Sequence, residues 1–224
     1  MVVGNGLIAT AFEKYRNKGR VMIFASGVSN SLENDNAIFK REEDLLKYTV
    51  QVNGNVPFVY FSSLTHPNSD KSRYFTHKLK MEWYVRNYCP NRIIMKLPQV
   101  IGPNGNPNTL FNFLYNKIVN DEEISVYKNS YRSLLDIDDL VKIVDEILDM
   151  EIYGNFVING IEVLEIEEIV NIMACEMGIA PKIKLVPCDN SVKERNSHLM
   201  AAILNKLQIY RKDYTKNLIK KYIL

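Results

Sequence analysis

Ser62-Ser63, Tyr74 and Lys78 are the residues whose types and spacing could carry proton chemistry. Tyr74 and Lys78 stand four apart, so on a helix a phenol and an ammonium share one face, one turn from each other. A neighbouring ammonium favours the phenolate. A serine hydroxyl beside the phenol can hydrogen-bond the carbonyl or alcohol that gains or loses a hydride. In a chain with 13 tyrosines, Tyr-x-x-x-Lys by itself carries little weight. Its surroundings give it meaning. The apolar run Phe58–Phe61 reads as a buried strand that stops at the two serines. A polar loop with His66, Pro67, Asn68 and Asp70 follows, and then a helix over Tyr74–Tyr88. Strand, loop and helix in that order would bring hydroxyl, phenol and ammonium together.

Other stretches must position this set. Met1-Val2-Val3 reads as a minimal strand, followed by Gly4-Asn5-Gly6 and a helix over Leu7–Arg16, a G-x-G-x-x-A pattern with Ala9 in the third place. Such a turn brings backbone N–H groups and a helix N-terminus against a pyrophosphate. The next strand, Val21 to Gly27, ends in the small residues Ala25, Ser26 and Gly27, with no Asp or Glu to read an adenosine ribose. Ala37–Val50 has apolar residues at helical spacing among the charges of Lys40–Asp44, as expected for a helix packed on a sheet. Arg92–Leu97 is a further strand running into Pro98–Pro103. Leu110–Val119 reads as a helix and Ile124–Tyr127 as a short strand. Asp138 is the expected N-cap of a helix ending near Met150. A strand over 154–159, a helix over Leu164–Met177 stopped by Gly178, a strand over Ile183–Val186 and two helices near Leu199–Leu207 and Tyr214–Leu224 complete the chain.

Composition excludes several classes. The 224 residues suffice for one large domain, with 46% apolar and 24% charged residues, and the net charge of +2 comes from interspersed signs. Neither nucleic acid nor an anionic membrane is the expected partner. The absence of a membrane-length apolar run, and a folded motif in place of a leader, lead to a cytoplasmic expectation. Three scattered cysteines, Cys89, Cys175 and Cys188, make neither a disulfide framework nor a metal site.

Phe61-Ser62-Ser63 followed by Tyr74-x-x-x-Lys78 resembles the extended short-chain dehydrogenase/reductase family, in particular its nucleotide-sugar epimerases, reductases and dehydratases. Three further segments match in the same order. They are the Gly4–Ala9 turn, Pro98-Gln99-Val100-Ile101-Gly102-Pro103, and Tyr131 to Leu140, which is similar to the family's Arg-to-Asp signature. The resemblance implies a Rossmann-like, mostly parallel α/β sheet flanked by helices, with residues 1–150 as the cofactor-binding core, carrying some substrate-lobe insertions after about residue 100, and 151–224 mainly as a small substrate lobe. It implies that NAD or NADP is held by Gly4, Asn5, Gly6, Leu7, Ile8, Ala25, Ser26, Gly27, Lys78, Leu97, Pro98 and Val100. Ser63 would polarise the sugar oxygen, Tyr74 would be the acid/base, and Lys78 would hold the nicotinamide ribose. Ser63, Thr65, Gln99 and Arg132 would bind a nucleotide sugar, Arg132 through its diphosphate. The chain departs from the family where the strand after the first helix looks like the family's fourth, which implies that the second and third strands are deleted; the alternative, that Val21–Ala25 is the second strand and later elements are shortened, fits its tail of small residues less well.

The reaction can be narrowed by the same resemblance. The family's dehydratases carry Asp-Glu after the strand-end hydroxyl, whereas here Leu64-Thr65 follows, which disfavours dehydration. A 4-keto reductase is preferred over an epimerase, because an epimerase must retain its cofactor and a trimmed adenosine site opposes retention. A binding or regulatory module without redox activity is the alternative of a different class. The resemblance further implies a place in polysaccharide biosynthesis and a homodimer through exposed helices such as Tyr74–Tyr88.

Overall fold

The computed structural model describes residues 1–64, 72–103, 106–159, 161–187 and 196–223. In chain order the elements are β1 (Val2–Val3), α1 (Leu7–Ala11), β2 (Met22–Phe24), α2 (Asn36–Asn53), β3 (Phe58–Ser63), α3 (Arg73–Tyr88) and β4 (Arg92–Leu97). Next come β5 (Gln99–Ile101), α4 (Leu110–Val119), β6 (Ile124–Tyr127), β7 (Tyr131–Arg132), β8 (Leu134–Asp136), α5 (Ile137–Asp149) and β9 (Gly154–Val157). The chain closes with β10 (Leu164–Glu165), α6 (Ile166–Met177), β11 (Ile183–Val186), α7 (His198–Lys206) and α8 (Tyr214–Ile223). Two compact units result, one of residues 1–97 and 140–158, the other of residues 98–139 and 159–224.

The first unit is built on a five-stranded sheet in the order β1-β2-β3-β4-β9, every pair parallel. Because helices cover both faces, its strands are continuously apolar rather than alternating. Phe58, Val59 and Tyr60 are all fully buried. On one face Met22, Phe24, Phe58, Tyr60 and Ile94 pack with Leu46 and Val50 of α2 and Met81 and Val85 of α3. The residues between them point the other way. There the Phe12 ring lies 5.5 Å from Phe61, and α5 buries Leu140, Ile143, Val144 and Ile147 completely. The Tyr15 hydroxyl donates to Asp145 at 2.6 Å, and Lys14 pairs with the same carboxylate.

The strand order confirms the expected deletion. A full doubly wound sheet reverses its order beside the first strand, and that reversal opens the adenosine crevice. Here β1 pairs with β2 and the order runs on without reversal, and β1 is the edge among the described residues. The first helix is also shorter than the sequence suggests. Where Leu7–Arg16 was expected, α1 spans five residues and a 3₁₀ turn, Glu13–Tyr15, follows.

The second unit carries three two-stranded ladders, β5 with β8, β6 with β11 and β7 with β10, together with α4, α6, α7 and α8. Buried polar groups fasten α8 to the segment before α5. The Tyr214 hydroxyl accepts from the Asp136 N–H at 2.9 Å and donates to Asp139 at 3.0 Å. Lys221 reaches Asp136 and Asp138 at 2.8 and 2.7 Å. Glu162 accepts the N–H groups of Tyr214 and Thr215, capping α8 from a distant part of the chain. The cap expected at Asp138 belongs instead to Asp136, whose carboxylate accepts the Asp138 N–H at 3.0 Å. A helix starting two residues earlier puts both Asp138 and Asp139 in its first turn, where the dipole still favours them.

Candidate active site

The two serines that end β3 point to opposite faces and have different partners. Ser62 donates to the buried carboxylate of Glu82 on α3 at 2.7 Å, and Lys96 of β4 lies 3.2 Å from the other oxygen. Ser63 is left for Tyr74: its Oγ lies 2.6 Å from the phenol oxygen. Tyr74 stands in the first turn of α3 and Lys78 one turn on, as the spacing requires. Both are buried, Tyr74 at 6% and Lys78 at 4% exposure, and the Lys78 ammonium lies 5.8 Å from the centre of the Tyr74 ring. The structure thus assembles Ser63, Tyr74 and Lys78 at the C-terminal end of β3, where parallel sheets place their ligands. Leu97, the last residue of β4, pairs in register with Ser63, and its carbonyl accepts the Leu64 N–H at 3.0 Å.

The N-terminal turn lies on the same sheet. Gly4 has φ +125, and a Cβ there would meet the Ala25 carbonyl oxygen at 2.4 Å, so glycine is required for this turn to reach the end of β2. A Cβ on Gly6 would meet nothing within 4 Å. The turn is therefore open at Gly6, where a phosphate cradle needs space. Beyond β2, a Cβ on Gly27 would fall 2.5 Å from the Lys78 ammonium, which brings the small-residue run Ala25-Ser26-Gly27 to the lysine. In the second unit the Gln99 N–H donates to the Ser133 carbonyl at 3.1 Å, beside Arg132, and Val100 pairs with Leu135. Pro98 and Gln99 are half-buried. Arg132 is held by its own strand, donating to the Tyr131 carbonyl at 2.7 Å, and pairs with no carboxylate among the described residues. Its burial disfavours the charged form. Thr65 lies outside the described residues.

A model of the NAD dependent epimerase/dehydratase family matches residues 45–159, just over half of the chain. The chain belongs to this family. The match begins in α2 and covers Ser63, Tyr74, Lys78, the Pro98–Pro103 segment and Arg132. No curated protein sequence matches the chain significantly. Among solved structures, RMD from Pseudomonas aeruginosa complexed with NADPH superposes with a TM-score of 0.71 at 12% identity, over 98% of this chain and 95% of that one. A UDP-glucuronic acid 4-epimerase from Bacillus cereus, in complex with UDP-glucuronic acid and NAD, gives 0.70 at 16% identity over 95% and 77%. A dTDP-glucose 4,6-dehydratase from Bacillus anthracis, in complex with NAD, gives 0.68 at 13% identity over 99% and 78%. Each of these likenesses is one of fold.

Against the family's dinucleotide, this member's residues fit unevenly. The open turn at Gly6 leaves room for a diphosphate, and Gly27 approaches Lys78 while Leu97 stands in register with Ser63. No carboxylate ends β2, and no strand lies beyond β1 among the described residues. The adenosine end is the one without a built wall.

One residue of this site was missed in the sequence. Glu42 of α2 is fully buried. Its Oε1 accepts from Lys78 and from the Tyr60 hydroxyl, each at 3.1 Å, and its Oε2 accepts the Val28 N–H at 2.7 Å. His77 Nε2 lies 3.1 Å from Oε2, without the alignment of a hydrogen bond. Burial pushes the Glu42 carboxyl up, but the His77 imidazole, the Lys78 ammonium and the Val28 N–H outweigh it and hold the group down, to about 2. The sequence did contain a signal. Glu42 stands three residues after Phe39 and four before Leu46, both buried, so helical spacing puts it on the inward face.

Proposed function

We propose that this chain is an oxidoreductase acting on a nucleotide-activated sugar, reducing a 4-keto group with NADH or NADPH. The observation that carries the reading is the 2.6 Å contact between Ser63 and Tyr74, with the Lys78 ammonium one helical turn behind. The cofactor, when bound, supplies the hydride. Tyr74 gives its proton to the carbonyl oxygen as the carbon is reduced to an alcohol, and the resulting phenolate is stabilised by Lys78. Ser63 donates to the same oxygen and polarises it. Gly4 to Ile8 hold the cofactor diphosphate through backbone N–H groups. Arg132, with no carboxylate partner among the described residues, is suited to charge-assisted contact with the sugar-nucleotide diphosphate. Gln99 and Thr65 serve the sugar, while Leu97, Pro98 and Val100 border the nicotinamide.

The uninterrupted strand order supports reduction over epimerisation. A site with no adenosine wall among the described residues suits a cofactor that enters and leaves on each turnover. No described helix is long and apolar enough to cross a membrane, in keeping with a cytoplasmic enzyme of polysaccharide biosynthesis. A homodimer through α2 and α3 completes the reading. The reaction is tested by following NADH and NADPH consumption with nucleotide 4-keto sugars. Wild-type turnover is expected, and Tyr74→Phe should lose about a hundredfold to ten-thousandfold of it. Equal turnover by the two proteins would overturn the assignment of Tyr74. An active role that survives Tyr74→Phe without redox turnover would favour a binding module instead.

A further inference from the structure

The geometry points to Glu42 as a positioning residue that fixes the Lys78 ammonium in place for the nicotinamide ribose, an inference that rests on the functional reading above. A buried ammonium without a counter-charge is costly and tends to move out or lose its proton. Lys78 is 4% exposed, and the carboxylate that bonds it is Glu42 at 3.1 Å. Glu42 is itself immobilised. One oxygen accepts from Tyr60 and Lys78, the other accepts the Val28 N–H, and His77, its ring tilted against Phe39 at 4.8 Å between centroids, closes the remaining side. These partners come from three places in the chain: Tyr60 on β3, Val28 after β2, and Lys78 and His77 on α3. A carboxylate held from that many directions has one position, and so does the ammonium bonded to it.

The surrounding residues are shaped to this pair. The ammonium sits 5.6 Å from the Tyr60 ring centre and 5.8 Å from that of Tyr74. Gly27 leaves room for it, since a Cβ there would come within 2.5 Å of the ammonium and 3.3 Å of Glu42 Oε1. With one N–H given to Glu42, Lys78 retains two others for ribose hydroxyls. Glu42 touches neither substrate nor cofactor and acts through Lys78.

The test is a double-mutant cycle in cofactor affinity, using Glu42→Gln, Lys78→Met and the two combined, with NADH and NADPH titrated calorimetrically. Glutamine keeps acceptor capacity at this position but removes the charge. Glu42→Gln is expected to weaken binding about tenfold, and in the Lys78→Met background to add nothing. A purely structural role would weaken binding equally in both backgrounds, which would overturn the inference. So would wild-type affinity in Glu42→Gln. Thermal unfolding of the same four proteins keeps the test readable if one variant folds poorly. The two single variants should each melt lower, and the double variant higher than their summed losses predict, because neither buried charge is left alone. Simple additivity in unfolding would overturn the pairing itself. Wild-type protein that binds neither dinucleotide would instead overturn the functional reading, and the role of Glu42 with it.

Discussion

At the scale of single residues, the site separates groups that look alike in sequence. Ser62 and Ser63 are adjacent, yet one is bonded to Glu82 and the other to Tyr74. That division follows from strand alternation, so it was legible once Phe58–Phe61 was read as a strand. Glu42 was not legible in the same way, because a carboxylate inside Lys40–Asp44 reads first as part of a solvated helix face. Only the fold shows that Lys78, His77, Tyr60 and the Val28 N–H converge on it. Its titration gives a pH prediction. The folded carboxyl lies near 2, below the ordinary value of 4.5, so its contribution to stability is complete above about pH 4.5 and is lost as pH falls toward 2. Denaturant unfolding of wild type and Glu42→Gln across this range should show the difference between them shrinking as the medium becomes more acidic. A difference that stays constant would contradict the assignment. Tyr74→Phe, by contrast, removes the hydroxyl proposed to react and keeps the ring. Its cofactor affinity should stay within a few-fold of wild type while turnover collapses.

At the scale of elements, hydrophobic period and punctuation located most of the chain. The helix expected over Leu110–Val119 is found over those residues, and Gly178 ends α6 in the left-handed conformation at φ +67. The short ladders β5 with β8 and β7 with β10 were not foreseen, since strands of two or three residues have no measurable period. Nor was the way α8 is anchored. Tyr214 and Glu162 are 52 positions apart, and nothing local in either reveals the other. Tyr214→Phe should test that anchor. It leaves the Asp136 N–H and a buried Asp139 oxygen without this partner, at a cost of about 1–3 kcal/mol. Chemical denaturation that shows wild-type stability would mean the phenol is not needed to hold α8.

At the scale of the whole molecule, the deletion near the N-terminus was readable because a strand ending in Ala25-Ser26-Gly27 is the wrong ending for a ribose-reading strand. The structure shows the consequence, a sheet that runs β1-β2-β3-β4-β9 without reversal. The same sheet sets α2 and α3 side by side with large apolar groups exposed. Tyr48 and Val52 on the one, and Leu79, Trp83 and Tyr88 on the other, are 48–66% exposed. Exposed apolar side chains on neighbouring helices are the kind of surface a second copy would cover. The homodimer reading predicts that light scattering finds a dimer and that Trp83→Glu converts it to monomer. A monomeric wild type would contradict it. The central claim is that a core shortened in this way still binds a nicotinamide dinucleotide beside Ser63, Tyr74 and Lys78. Calorimetric titration of the purified protein with NADH and with NADPH tests it most directly. Saturable binding of at least one of them, well below millimolar, is the predicted result. The absence of binding by both at millimolar concentration would contradict the account.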